Sequence, residues 1–200
     1  ANVSILTGAG NDTVKLSTIL AANNLISMGA GEDTLVLDAA GNLAGVLKGV
    51  ENITLKAAAS SIVMTNADQK AALTFEGGGT IGATELASGS TVTSTKAAAA
   101  AVNVAFRDSV MGEKSTIDLQ EGTSVASTVT LTNIKDATIN FGKATAGATT
   151  TIALDNTANG TEVTTDLTVN AKGALAGLTL TPATAGELKN LTLNATAGTI

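Results

Sequence analysis

The sequence predicts an all-β chain wound as a parallel β-solenoid (β-helix or β-roll) with irregular coils, and three observations carry that prediction. Aliphatic residues alternate with Thr, Asn, Ala or Lys at period 2 through many short runs, the pattern of strands with one buried face. The runs recur at intervals of roughly 8–15 residues, separated by Gly, Asn, Asp and Ser. The inward residues are Leu, Ile, Val and Ala, with aromatics at only 2%. That suits a narrow core between stacked coils better than the core of a sandwich, which is about 10 Å thick. An elongated array of β-sandwiches is the competing architecture.

In chain order, residues 3–6 (VSIL) read as a short apolar strand, and 12–16 (DTVKL) place Val14 and Leu16 on one face. Residues 25–27 (LIS) repeat the first run, and Leu35 with Leu37 repeat the second. Ile53 and Leu55 continue the alternation, with Asn52, Thr54 and Lys56 outside. Residues 76–82 (EGGGTIG) read as a flexible loop, and the alanines at 97–101 are too few to hold a helix alone. A surface insertion therefore fits at 76–101. Alternation resumes at Val129 and Leu131, Ile139 and Phe141, Ile152 and Leu154, Leu167 and Val169, Leu178 and Leu180, and Leu191 and Leu193. Thr serves this pattern because its branched Cβ fits a pleated surface. Residues 47–56, 132–141 and 186–195 share one unit, an aliphatic residue, a few polar ones, then an alternating strand. A recurring unit of this kind is the mark of a solenoid. The expected organisation is one solenoid over 1–200, an excised piece of a longer protein, with distinctive coils at 3–45 and irregular Thr/Ala/Asn-rich coils at 46–200.

Composition removes whole classes of chemistry. The chain has no Cys, His, Trp or Tyr, and three Phe. Disulfides, thiolate or imidazole metal sites, cysteine nucleophiles and histidine-based triads are therefore excluded. A net charge of −6 with 11 Lys plus Arg, none clustered, speaks against a nucleic-acid partner. No apolar run approaches the roughly 18 residues of a transmembrane segment, and no signal sequence opens the chain. Glycoside cleavage by a carboxylate pair needs a sugar cleft, and the scarcity of aromatics and Arg counts against one. The expectation is that the protein is not an enzyme.

Two segments stand apart. Residues 7–15 read TGAGNDTVK and 28–36 read MGAGEDTLV, so Gly8, Gly10 and Asp12 correspond to Gly29, Gly31 and Asp33, 21 positions on. Both hold Gly-x-Gly-x-Asp-Thr-aliphatic and both follow an apolar strand. Glycines permit positive φ, which lets a tight loop aim carbonyl oxygens inward, and the Asp adds a carboxylate. Such an all-oxygen set is what Ca²⁺ takes. Asn11 and Glu32, at the variable position between, can add an oxygen each. The alternative is a pair of tight turns in which Asp bonds its own backbone. Asp38 fits a turn or a second site, and Asp118, Asp136, Asp155 and Asp166 fit strand-edge turns.

The two segments resemble the nonapeptide repeat of the repeats-in-toxin family, Gly-Gly-x-Gly-x-Asp-x-aliphatic-x. Thr7 and Met28 stand where that repeat has its first Gly. The resemblance implies a parallel β-roll whose successive coils share calcium between stacked loops, with Asp12 and Asp33 flanking an ion. A family coil takes about 18 residues, and the observed spacing makes this one slightly longer. The unit at 50–56 (VENITLK), with the Ala/Thr/Asn-rich, Cys-free composition, is similar to type-I-secreted surface-layer proteins of Gram-negative bacteria. That likeness implies a calcium-stabilised structural protein of the cell surface. Its partners would be copies of itself in a two-dimensional lattice and, through another part of the protein, outer-membrane lipopolysaccharide. A secreted adhesin or toxin repeat is the first alternative. An ice-binding solenoid is a more remote one, since Thr-x-Thr runs occur but at spacings too uneven for an obvious plane.

Overall fold

Alternating Thr and aliphatic residues produce parallel strands throughout. The computed structural model describes residues 3–18, 21–39, 42–43, 45–108, 113–122, 127–143, 149–155, 165–172, 177–182 and 188–195. These carry 19 strands in three parallel sheets, and the described residues contain no helix. The fold is the expected all-β parallel solenoid. With no helix described, none is long and apolar enough to cross a membrane.

The shortest sheet joins β1 (Ser4–Leu6), β3 (Leu25–Ser27) and β6 (Val46–Lys48). The longest, of nine strands, begins with β2 (Thr13–Leu16), β4 (Thr34–Leu37), β7 (Asn52–Leu55), β9 (Ala72–Phe75) and β11 (Thr91–Ser94). It continues through β13 (Ser115–Leu119), β15 (Asp136–Phe141), β17 (Thr165–Ala171) and β19 (Leu188–Ala195). The seven-stranded wall runs through β5 (Asn42–Leu43), β8 (Ser61–Val63), β10 (Gly79–Ala87) and β12 (Ala98–Asp108). It ends with β14 (Ser127–Thr132), β16 (Thr150–Asp155) and β18 (Leu178–Pro182). From β9 onward each coil lays one strand in each long sheet. The first coils add the short third wall.

Between the walls, side chains one pleat apart stack into columns. In the nine-stranded sheet one inward column runs Leu35, Ile53, Leu73, Val92, Ile117, Ile139 and Val169, each at most 2% exposed. Facing it, Val102, Val129 and Ile152 stack in register and are fully buried. Phe75, Phe106 and Phe141 are the largest side chains buried between the walls. Burial of aliphatic surface at about 25 cal/mol per Å² is the main stabilising term here.

Two expectations need adjusting. The glycine run at 76–82 is not a loop throughout, because Gly79 opens β10, and the alanines from Ala98 lie in β12. A Cβ on Gly77 would overlap the backbone of Ala57, so coil stacking requires glycine there. The uneven coils also do not spoil the register. Equivalent positions lie from 18 residues apart (Asp33 to Glu51) to 30 (Asn140 to Asn170), yet the strands remain paired. The loops absorb the difference. As a result Thr occupies one outward position on seven of the nine strands, Asn52 and Ala72 being the exceptions.

Candidate functional site

The two Gly-x-Gly-x-Asp loops link the short sheet to the long one, and they stack directly. Ser27 follows Leu6 in register, Thr34 follows Thr13, and Ala9 bridges Ala30 between them. Gly8, Gly10, Gly29 and Gly31 all hold positive φ, between 94° and 148°. The stack also needs glycine for space: a Cβ on Gly29 would overlap the carbonyl of Gly8, and one on Gly31 the carbonyl of Gly10. Gly10 N–H donates to Ala30 O at 2.8 Å and Ala30 N–H to Gly8 O at 3.2 Å, which laces the loops together. Asn11 Oδ1 accepts from the Glu32 N–H at 3.1 Å, and Thr7 Oγ1 donates to Met28 O at 2.8 Å.

Asp12 and Asp33 immediately precede β2 and β4 at equivalent positions, on the inward side of the corner. Asp33 is fully buried. Its Oδ1 accepts from the Asp12 N–H at 2.7 Å. The next coil repeats the device with a longer side chain, Glu51 Oε2 accepting from the Asp33 N–H at 2.8 Å. Each acid thus caps an amide one coil below. Gln69 Nε2 donates to Glu51 Oε1, which extends the network by one more coil. Further along, the same inward corner position is held by Ala71, Ser90, Ser115, Ala137 and Leu167.

The second carboxylate oxygens are the unusual feature. Asp12 Oδ2 and Asp33 Oδ2 are both buried and neither has a hydrogen-bond donor. Among the described residues no Lys or Arg pairs with Asp12, Asp33 or Glu51, and Lys15, the closest in sequence to Asp12, bridges to Asp38 at 2.8 Å. Asp38 also has a buried oxygen, Oδ1, with no partner. No three acidic side chains converge on one point among the described residues. The acids form a column along the solenoid axis instead. Asp118, Asp136 and Asp166 lie on the outer face of the nine-stranded sheet, and Asp155 ends β16; none joins this corner.

Glu51 and Gln69 are members of this network that motif reading missed. A signal for the first was present, since Gly49-Val50-Glu51-Asn52-Ile53 repeats Gly31-Glu32-Asp33-Thr34-Leu35 with Glu for Asp. The third loop is three residues shorter, so Gly49 covers Gly29, and Glu51 makes to the Asp33 amide the bond that Asp33 makes to Asp12. Glu32, by contrast, is exposed and contributes its backbone N–H.

Comparison with known protein families, curated proteins and solved structures returns no match to this chain.

Proposed function

We propose that the chain is a calcium-stabilised, non-catalytic β-solenoid that serves a bacterial surface layer and assembles with copies of itself outside the cell. One observation carries the calcium part. Two buried carboxylate oxygens, Asp12 Oδ2 and Asp33 Oδ2, lie in stacked Gly-Asp loops without a donor. Leaving a buried polar group unsatisfied costs about 1–3 kcal/mol, more when it is charged. Like charges on directly opposed strands add to that cost. A hard divalent cation relieves both, and oxygen is the only ligand type the corner offers. Asp12 and Asp33 would hold the ion through Oδ2, with the carbonyls of the Gly8–Asp12 and Gly29–Asp33 loops as the remaining donors. Binding to the folded form alone at 100 times Kd adds about 2.7 kcal/mol, which in a chain of this size is a melting shift of roughly 5–10 °C.

The capping role of Asp33 supplies a clean test. Asp33→Asn keeps an Oδ1 acceptor for the Asp12 N–H but removes the charge. Asp33→Ala removes both. Calorimetric melting in calcium and in chelator should show the shift in the parent chain and no shift in Asp33→Asn. Asp33→Ala should melt below both in either buffer. Superimposable parent curves in calcium and chelator would sink the calcium reading. The surface-layer role rests on the family resemblance and the long parallel walls. Electron microscopy with added calcium should show ordered sheets, whereas particles dispersed under all conditions favour the adhesin alternative. The ice-binding alternative gains the in-register Thr column, but in the nine-stranded sheet Thr holds both outward positions only on β11, Thr91 and Thr93, and in the seven-stranded sheet Ala153 interrupts the second column between Thr130 and Thr181. Thermal hysteresis above a control protein would restore it.

A further inference from the structure

The outer face of the last coils repeats a motif that the calcium reading does not use. Residues 136–140 (DATIN), 166–170 (DLTVN) and 190–194 (NLTLN) share Asp/Asn-x-Thr-x-Asn and lie in strand register. Spacings of 30 and 24 residues separate the copies. Thr138, Thr168 and Thr192 form one outward column, and Asn140, Asn170 and Asn194 the next. Neighbouring β13 extends both with Thr116 and Asp118. Packing demands only the aliphatic residues between these positions. On earlier coils the second column holds Lys15, Val36 and Thr54, so the fold alone does not dictate Asn.

The amides form a ladder: Asn194 Nδ2 donates to Asn170 Oδ1, and Asn170 Nδ2 to Asn140 Oδ1, both at 2.8 Å. An amide has two N–H donors and two acceptor lone pairs. The ladder uses one of each at Asn170, which leaves one donor and one acceptor lone pair that the ladder does not use. Sugar hydroxyls, which donate and accept at once, complement that pairing, and the adjacent Thr hydroxyls continue it. The column lines a cleft of about 450 Å³ running along the solenoid axis, with Asp118 at one end and Lys172 on its rim. The face carries Asp118, Asp136 and Asp166 against Lys114 and Lys172, which disfavours a polyanion. Phe141, beneath the cleft, is 1% exposed and offers no ring for stacking. Recognition therefore rests on hydrogen bonds that are weak singly and add along a repeating ligand.

We infer that this cleft, together with the Thr column beside it (Thr116, Thr138, Thr168 and Thr192), binds a neutral polysaccharide lying along the solenoid axis across β13–β19. The site is separate from the Gly-Asp corner on β1–β4 and stands whether or not calcium binds there. Electrophoresis of the whole chain through native gels containing dextran, mannan or galactan should show retardation in at least one of them. Heparin gels should show none, and the corresponding monosaccharide should not compete. Asn170→Ala and Thr168→Val should each weaken the retardation about tenfold, the equivalent of one hydrogen bond. Melting curves identify a variant that has lost its fold, and Thr168→Val, which leaves the ladder intact, then carries the test. Free migration in all three neutral gels, retardation by heparin alone, or full retardation of both folded variants would overturn the inference. Running the parent chain with calcium and with chelator separates the two readings. Loss of the calcium effect on melting alongside unchanged retardation refutes only the corner site.

Discussion

Gly8 and Gly29 occupy equivalent positions in the two loops but differ in what lies beside them. Among the described residues, and leaving out its own chain neighbours, nothing lies within 4 Å of a Cβ placed on Gly8, whereas one placed on Gly29 collides with the Gly8 carbonyl. Gly8→Ala should therefore cost only the backbone strain of positive φ, about 1–3 kcal/mol. Gly29→Ala adds a collision with backbone that cannot give way, and its cost should exceed about 4 kcal/mol in urea unfolding. Equal costs would show that conformation, not stacking, selects these glycines. The pairing of Gly8 with Gly29 and of Asp12 with Asp33 was legible because both motifs recur intact. The cap from Asp33 to the Asp12 amide was not legible. A carboxylate reaching an amide 21 residues away depends on coil length, which no single motif encodes. Glu51 escaped for a related reason: its loop is shorter, so its Gly-x-acid signature is offset from the other two.

Among the elements, β12 shows how a lone side chain can tie coils together. Arg107 donates through Nη1 to Met64 O at 2.9 Å and Thr65 O at 3.2 Å, and through Nη2 to Ala67 O at 2.9 Å. These carbonyls belong to the turn after β8, two strands away in the same sheet. The guanidinium fork matches three diverging acceptors, which a single ammonium does not. Arg107→Ala should lower stability by about 2–3 kcal/mol, with Arg107→Lys recovering less than half, as denaturant unfolding would measure. The strands themselves were legible wherever aliphatics alternate with Thr or Asn, as in β7, β14, β15 and β17. The glycine run at 76–82 misled because propensity marks it as loop, and the alanines at 97–101 carry no alternation that would mark a strand. In place, Gly79 and Gly82 let β10 lie close against β8, since a Cβ added to Gly82 would sit 3.0 Å from Ser61 Cβ. Packing on neighbouring coils overrides the local preference.

For the whole molecule, recurrence of one strand unit was enough to foretell a solenoid, and narrow aliphatic columns are what such a stack requires. The straightness of the outer columns was hidden, because insertions of different length fall in the corners and leave the strand register untouched. In such a stack each coil leans chiefly on its neighbours, so protection should grade from the ends inward. Leu6 is 71% exposed at one end, and Leu191 and Leu193 are about 40% exposed at the other, while Ile117 and Ile139 are fully covered. In the 200-residue chain taken by itself, hydrogen exchange should be slowest in β11–β15 and fastest in β1, β2 and β19; uniform protection would mean one all-or-none unit instead. The inward corner position changes along the axis from Asp12, Asp33 and Glu51, through Ala71 and Ser90, to Ala137 and Leu167. One end of the stack therefore buries neutral side chains at this corner, Ser115 among them, while the other buries carboxylates. On the proposed calcium reading, folding would acquire a direction: coils around β13–β17 would form first and template each preceding turn, and the acidic turns would lock last, as a clasp whose closing reports the ion content of the surroundings.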